Sequence, residues 1–123
     1  KIRDVDQMSI KEIGSALRKT SRLCRDLKID KKEFFGGSMT ISSLGGIGGT
    51  FFTPIINPPE VAILGVGKSF DRLVKVKDKF VSRKILPISL SYDHRIIDGA
   101  EGARFCVYLG KCLGKDFAFK LAV

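Results

Sequence analysis

Residues 61–67, Val61-Ala62-Ile63-Leu64-Gly65-Val66-Gly67, form an uncharged run in a chain where 28% of the side chains are charged. The run has the length of a strand and is too short for a core helix. It shows no polar alternation, so both of its faces are buried. A strand of that kind needs hydrogen-bonding partners on its edges and cover on two sides. The requirement places it at the centre of an α/β (α+β) sheet, and the rest of the chain has to supply the partners and the cover.

The neighbouring segments read as follows. Residues 38–42 alternate in the manner of a strand. They break into Gly45-Gly46-Ile47-Gly48-Gly49, where four glycines in five residues exclude a regular helix. A phosphate-binding loop fails on context, because no Gly-Lys-Ser/Thr ending and no helical pattern follow. Pro54, Pro58 and Pro59 follow instead, suited to an extended, turning loop. The glycines are read as permitting close backbone approach, either between subunits or to a ligand. After the central run, residues 73–77 and 79–82 flank a polar Lys77-Asp78-Lys79 tip and predict a hairpin.

Upstream, residues 1–6 alternate like the end of a strand. Ser9 predicts a helix start, with Glu12 closing a capping box. From there Ile10, Ile13, Leu17, Thr20, Cys24 and Leu27 mark one stripe toward the core. Lys11, Arg18, Lys19, Arg22, Arg25 and Lys28 occupy the other faces and read as a solvated surface. Residues 29–37 form a connector with a single turn at Lys31-Lys32-Glu33. Downstream, residues 84–92 predict a strand, then Asp98 caps a helix over residues 99–113, with Glu101 as its capping-box partner and Gly114 as its C-cap. Ala103, Phe105, Cys106, Val107, Leu109 and Leu113 give that helix a wide apolar surface. The tail, residues 116–123, is too apolar to hang free and is expected to dock.

Composition narrows the function. The net charge is +9, from 22 basic and 13 acidic side chains. No RNA-binding aromatic motif, zinc ligand set or arginine-rich tail accompanies that charge, so nucleic acid is not the expected partner. A basic surface equally suits an anionic ligand or acidic partners. Cys24, Cys106 and Cys112 lack metal-ligand spacing and read as reduced thiols in a reducing compartment. No metal site and no membrane association are expected.

The chemistry concentrates between the predicted strand and the last helix, in Ser89-Leu90-Ser91-Tyr92-Asp93-His94-Arg95-Ile96-Ile97-Asp98-Gly99-Ala100. His94 is the only histidine of the chain, with a carboxylate on either side and Arg95 next to it. Taken singly, His94 reads as a hydrogen-bonded structural residue, Asp98 as a helix cap and Arg95 as the partner of Asp93. The whole string is more specific. It resembles the active-site signature of the dihydrolipoamide acyltransferases, the core subunits of 2-oxoacid dehydrogenase complexes, related in fold to chloramphenicol acetyltransferase. Residues 37–50 and 53–65 resemble the glycine-rich segment of the same family. The likeness is strongest to the acetyltransferase of the pyruvate dehydrogenase complex.

The resemblance implies a mixed sheet flanked by helices, with residues 1–123 forming the C-terminal half of the catalytic domain and the lipoyl domain lying outside this chain. It implies acyl transfer, acetyl above all, between the thiols of dihydrolipoamide and coenzyme A. Such a reaction needs a base for a thiol of pKa about 8.5 and donors for the thioester oxygen as it gains charge. Neutral imidazole near pH 7 suits the first task, so His94 is the implied base. Ser42 is the implied oxyanion donor, with Ser43 as the alternative because adjacent hydroxyls on a strand face opposite ways. Asp98 is given an organising role with Arg95 behind it. Ser42, Ser43, Ile63 and Leu64 are expected to line the coenzyme A side. In the family, His94 and Asp98 of one subunit would meet Ser42 of the next within a homotrimer. Trimers then join into a cubic or icosahedral core that binds the decarboxylase and dihydrolipoamide dehydrogenase, in the bacterial cytoplasm or the mitochondrial matrix. A catalytically silent core subunit, or a same-fold acyltransferase acting on a small molecule, are the competing readings.

Phe117, Phe119 and Leu121 fall on one edge if the tail is extended, and would insert into a neighbouring trimer. Deleting the residues after Asp116 is expected to leave trimers and to dissolve larger particles, as read by light scattering.

Overall fold

The computed structural model describes residues 1–114 and residue 117. It comprises two compact units, Met39–Tyr108 and a second made of Lys1–Ser38 with the residues from Leu109 onward. Of the docking tail, Phe119 and Leu121 lie outside the described residues.

The first unit is built on a three-stranded sheet in which β2 (Ala62–Val66) is central, between β1 (Thr40–Ser43) and β5 (Ile88–Tyr92). The sheet is mixed, since β1 runs parallel to β2 and β5 antiparallel to it. Ala62, Ile63 and Leu64 are 9%, 3% and 7% exposed, as the uncharged run requires. The register sets the two faces. Ser42 stands opposite Gly65, and Gly65 opposite Ser89, while Thr40 aligns with Ile63 and Ile63 with Ser91. One face therefore carries four hydroxyls around Ile63 and Gly65. The other carries Ile41, Leu64, Leu90 and Tyr92.

The glycine segment wraps the end of this same sheet. The Leu44 N–H donates to the carbonyl of Val66, and the Lys68 N–H to that of Gly49. A Cβ on Gly67 would stand 2.2 Å from the Thr50 carbonyl oxygen, closer than any side chain allows. Phe52 closes the hydroxyl face by laying its ring against Gly65, 3.0 Å from where a Cβ would be.

The hairpin forms from β3 (Phe70–Val76) and β4 (Lys79–Ile85), with Lys77 at the tip in the left-handed region at φ 55°. One strand expected over residues 84–92 is two. Leu86 and Pro87 break it, leaving Lys84 and Ile85 in the hairpin and Ile88–Tyr92 in the central sheet. Proline has no N–H to extend a ladder, and its carbonyl instead accepts from the Gly67 N–H at 3.0 Å. The helix α2 (Gly99–Cys112) follows β5 and lays Gly102 against the Tyr92 ring.

In the second unit, α1 (Ile10–Arg25) starts at Ser9 with both halves of the capping box formed. The hydrogen bond to Ser9 holds the Glu12 carboxyl below its ordinary pKa. The helix closes with the Lys28 N–H on the Leu23 carbonyl and the Leu27 N–H on that of Cys24. That double bond pattern puts Leu27 in the left-handed region, so Leu27 lies beyond the helix and is 91% exposed. Of the expected stripe, Ile13, Thr20 and Cys24 are half-buried, Ile10 and Leu17 are exposed, and the basic residues are all exposed, with no residue of α1 fully buried. The strand expected over residues 1–6 is also absent. Asp4 turns at φ 51° into a 3-10 turn at Val5–Gln7, and the Lys1 amino groups bind carbonyls of Glu33 and Phe35 instead. The turn expected at Lys31 is the 3-10 turn Lys31–Phe34, capped by Asp30.

Gly67→Ala is expected to destabilise the fold by about 3 kcal/mol, the scale of a forced overpacking, because backbone rather than a flexible side chain blocks the new methyl. Denaturant unfolding of the variant beside the parent measures it.

Candidate functional site

At the end of β5 the chain must turn from strand to helix within a few residues, and Asp93 organises the turn. Its N–H donates to the Val61 carbonyl at 2.8 Å, which extends the ladder by one residue. Its carbonyl accepts from Ile96 and Ile97, both at 3.0 Å. Its carboxylate accepts from the Arg95 N–H at 3.0 Å and from the Arg95 guanidinium at 2.9 and 2.5 Å. Hydrogen bonds from the Arg95 side chain and backbone bring the Asp93 carboxyl down to about 2, and Asp93 raises Arg95 in turn. The plainest reading of Arg95, as the partner of Asp93, is thus the observed one. Arg95 does not pack behind Asp98.

Asp98 fixes the other side of the turn. Its Oδ1 accepts from the Glu101 N–H at 2.7 Å and its carbonyl from the Gly102 N–H at 3.1 Å, which starts α2. The cap is present as the spacing predicts. Among the described residues the Glu101 side chain does not complete the box.

Between these two clamps His94 is exposed. Its ring centroid lies 5.7 Å from that of Tyr92, tilted by 37°. No hydrogen bond to the imidazole forms among the described residues. A depression of about 440 Å³ adjoins the turn, lined by Pro58, Pro59, Glu60, Asp93, Arg95 and Ile96, and His94 is not part of that lining.

Ser42 lies elsewhere on the sheet. It aligns with Ser89, three residues before Tyr92 and two strands away from β5's own line. Strand spacing and rise put Ser42 and Tyr92 roughly 14 Å apart, with His94 farther on. The faces differ as well, since Ser42 shares the side of Gly65 while Tyr92 shares that of Ala62. One copy of the chain therefore brings His94 and Asp98 together and leaves Ser42 apart. Ser43 is exposed and faces away from Ser42, as its position on the strand predicts. Ile63 and Leu64, expected to line a ligand channel, are core side chains withdrawn from solvent. Tyr92 is the residue that sequence reasoning passed over. A bulky aromatic at a strand end, followed by glycine at the first and fourth positions of a helix, is the pattern that could have marked it.

Among the described residues no group of three histidine, cysteine or acidic side chains could hold a metal ion, and no helix is long and apolar enough to cross a membrane.

Residues 1–118 match the family described as 2-oxoacid dehydrogenases acyltransferase (catalytic domain). The chain is 51% identical over 116 residues to the dihydrolipoyllysine-residue acetyltransferase component of the pyruvate dehydrogenase complex of Cupriavidus necator, covering 94% of this chain and 21% of that protein. Among solved structures, it superposes with a TM-score of 0.89 at 48% identity on the Azotobacter vinelandii dihydrolipoamide acetyltransferase. That work investigated the role of a serine, a histidine and an asparagine in the catalytic mechanism. A second match, also at 0.89 and with 47% identity, is the cubic core of the pyruvate dehydrogenase multienzyme complex. Both matches cover 95% of this chain and 48% of the solved one, so the chain spans about half of each.

A carboxylate with a depressed pKa contributes stability above its ordinary value, here 3.8, and loses it as pH falls through about 2. Amide exchange at Ile96 and Ile97 is therefore expected to stay slow down to about pH 4 and to quicken between there and about pH 2. In Asp93→Asn the protection is expected to be weaker at neutral pH and to lack that acid step.

Proposed function

The chain belongs to the 2-oxoacid dehydrogenases acyltransferase family, and from that premise we propose that it carries the base and the oxyanion donor for acetyl transfer between coenzyme A and dihydrolipoamide. His94 takes the proton of whichever thiol attacks, coenzyme A or dihydrolipoamide according to direction. The thiolate adds to the thioester carbonyl, and Ser42 donates a hydrogen bond to the oxygen as it becomes negative. Collapse expels the other thiol, which recovers the proton from His94.

The observation that carries the reading is the double clamp on an exposed imidazole. Asp93 holds the turn before His94 by four partners, and Asp98 holds the helix after it. A turn so restrained holds the backbone of His94 in place and leaves the imidazole open to a thiol. Comparison supports the choice of partners. The serine and histidine studied in the Azotobacter vinelandii protein are separated by as many residues as Ser42 and His94, and its asparagine follows the histidine at the distance of Asp98. Here an aspartate stands in that place, and its side-chain oxygen caps α2. Its role is organisation of the turn.

Because Ser42 lies on the opposite face from Tyr92 and roughly 14 Å from it within one copy, the working site joins His94 and Asp98 of one subunit to Ser42 of its neighbour. A homotrimer is the ring in which that sharing is proposed to occur. A larger core of such trimers, in contact with lipoyl domains and the other enzymes of a 2-oxoacid dehydrogenase complex, is the assembly in which the chain would work. On the coenzyme A side, Ser42 and Ser43 supply the polar contacts. Large apolar side chains left bare, among them Ile41 at 67%, Phe51 at 69% and Ile55 at 86% exposure, are the surfaces for the neighbouring subunit or for further protein of the same domain.

His94→Ala is expected to lower acetyl transfer by about 10²–10⁴-fold with assembly intact. Ser42→Ala should lower turnover by roughly 10²–10³-fold with little change in coenzyme A affinity. Activity of a folded His94→Ala protein within a few-fold of the parent would remove the imidazole from the mechanism. If Ser43→Ala rather than Ser42→Ala gives the turnover loss, the donor is Ser43.

A further inference from the structure

We propose that Tyr92 is the positioning residue for His94: its ring is the floor on which the imidazole rests, and Gly99 and Gly102 keep α2 from covering that floor. The inference rests on the reading of His94 as the base.

Three observations meet here. First, the Tyr92 ring has a rigid root. Tyr92 pairs with Ala62 in the sheet, and the next residue, Asp93, adds its own N–H to the Val61 carbonyl. Second, α2 gives up side-chain volume where it crosses the ring. A Cβ on Gly102 would come within 2.8 Å of Tyr92 Cε1 and 3.1 Å of Cζ, so only glycine lets the helix lie there. Third, the hydroxyl end of Tyr92 and the imidazole converge on one spot. The Tyr92 oxygen and His94 Nε2 each lie 3.8 Å from the point where a Cβ on Gly99 would stand.

Within one copy, the Tyr92 ring is the aromatic neighbour of the imidazole. The backbone turn locks the Cα of His94, yet a histidine side chain keeps two rotatable bonds. A base that samples several rotamers spends only part of its time aimed at the thiol, and a misplacement of the order of 1 Å can cost up to about 10²-fold. The Tyr92 ring, tilted by 37° and in van der Waals range, removes part of that freedom. With the ring as the floor, phenylalanine should serve and an aliphatic side chain should not.

The test uses the complete protein that carries this chain, with the imidazole resonances of His94 assigned by their loss in His94→Gln. Tyr92→Leu is expected to move those resonances toward free imidazole, because the aromatic ring current is gone. Its kcat should fall about tenfold with KM nearly unchanged. Tyr92→Phe should keep the ring-current shift and a kcat within about twofold of the parent. Gly99→Ala adds a methyl at ordinary contact distance from both Nε2 and the Tyr92 oxygen and should displace the imidazole resonances while the ring current persists. Should Tyr92→Leu fail to fold, Gly99→Ala decides the matter. Unmoved resonances in Tyr92→Leu or in Gly99→Ala, or a loss of kcat in Tyr92→Phe equal to that in Tyr92→Leu, would overturn the inference. A parent protein that transfers no acetyl group would overturn the function proposed above, and the resonances would still report whether Tyr92 holds the ring.

Discussion

The three-stranded sheet of the Met39–Tyr108 unit is laid out on one strand that is hydrogen-bonded along both edges. β2 has no polar side chain to turn toward water, so its neighbours are obligatory. β1 aligns alongside it and β5 runs back against it, and the register of those two ladders assigns each hydroxyl to a face. The same strand anchors the functional turn, because the carbonyl of Val61, just before β2, receives the N–H of Asp93. At its other end Gly67 receives the glycine segment at a distance that no larger residue permits. The strand is thus both the core and the ruler against which the site is laid out.

The turn itself is stiffened by charge and capping rather than by burial. Asp93 and Arg95 form a forked pair next to water, which by itself is worth little. Its value is local: the carboxylate also accepts the Arg95 N–H, so a side chain and a backbone donor converge on one group. Asp98 does the equivalent for the first turn of α2. Two acidic residues flanking a histidine could have formed a relay with it. They face their own backbone and Arg95 instead, and the imidazole is left open to whatever approaches.

Local patterns proved legible where a single element settles its own hydrogen bonds. The Ser9 box, the Asp98 cap, the hairpin tip at Lys77 and the buried run at Ala62–Val66 all stand where side-chain type and spacing put them. What failed depended on partners. Alternation at residues 1–6 resembles a strand, yet the segment turns at Asp4 into a 3-10 turn, and a strand exists only by virtue of its neighbour. The stripe on α1 has the period of a buried face, but burial is a property of what lies opposite. In the site, residue identity marked His94, Ser42 and Asp98, whereas the pairing of Arg95 with Asp93 and the role of the Tyr92 ring required coordinates. The withdrawal of Ile63 and Leu64 into the core was implied by their own lack of polarity.

Ser42 and Tyr92, whose ring neighbours His94, sit on opposite faces of the sheet. If Ser42 and His94 act on one thioester, no copy of the chain owns a whole site, and each is half of two sites that it shares with different neighbours. Heredity then works in an unusual way. A gene with the serine damaged and a gene with the histidine damaged would each be silent alone, yet their products assembled in one ring would contain at least one contact with both residues sound. Such a protein tolerates two different faults better than two copies of the same one.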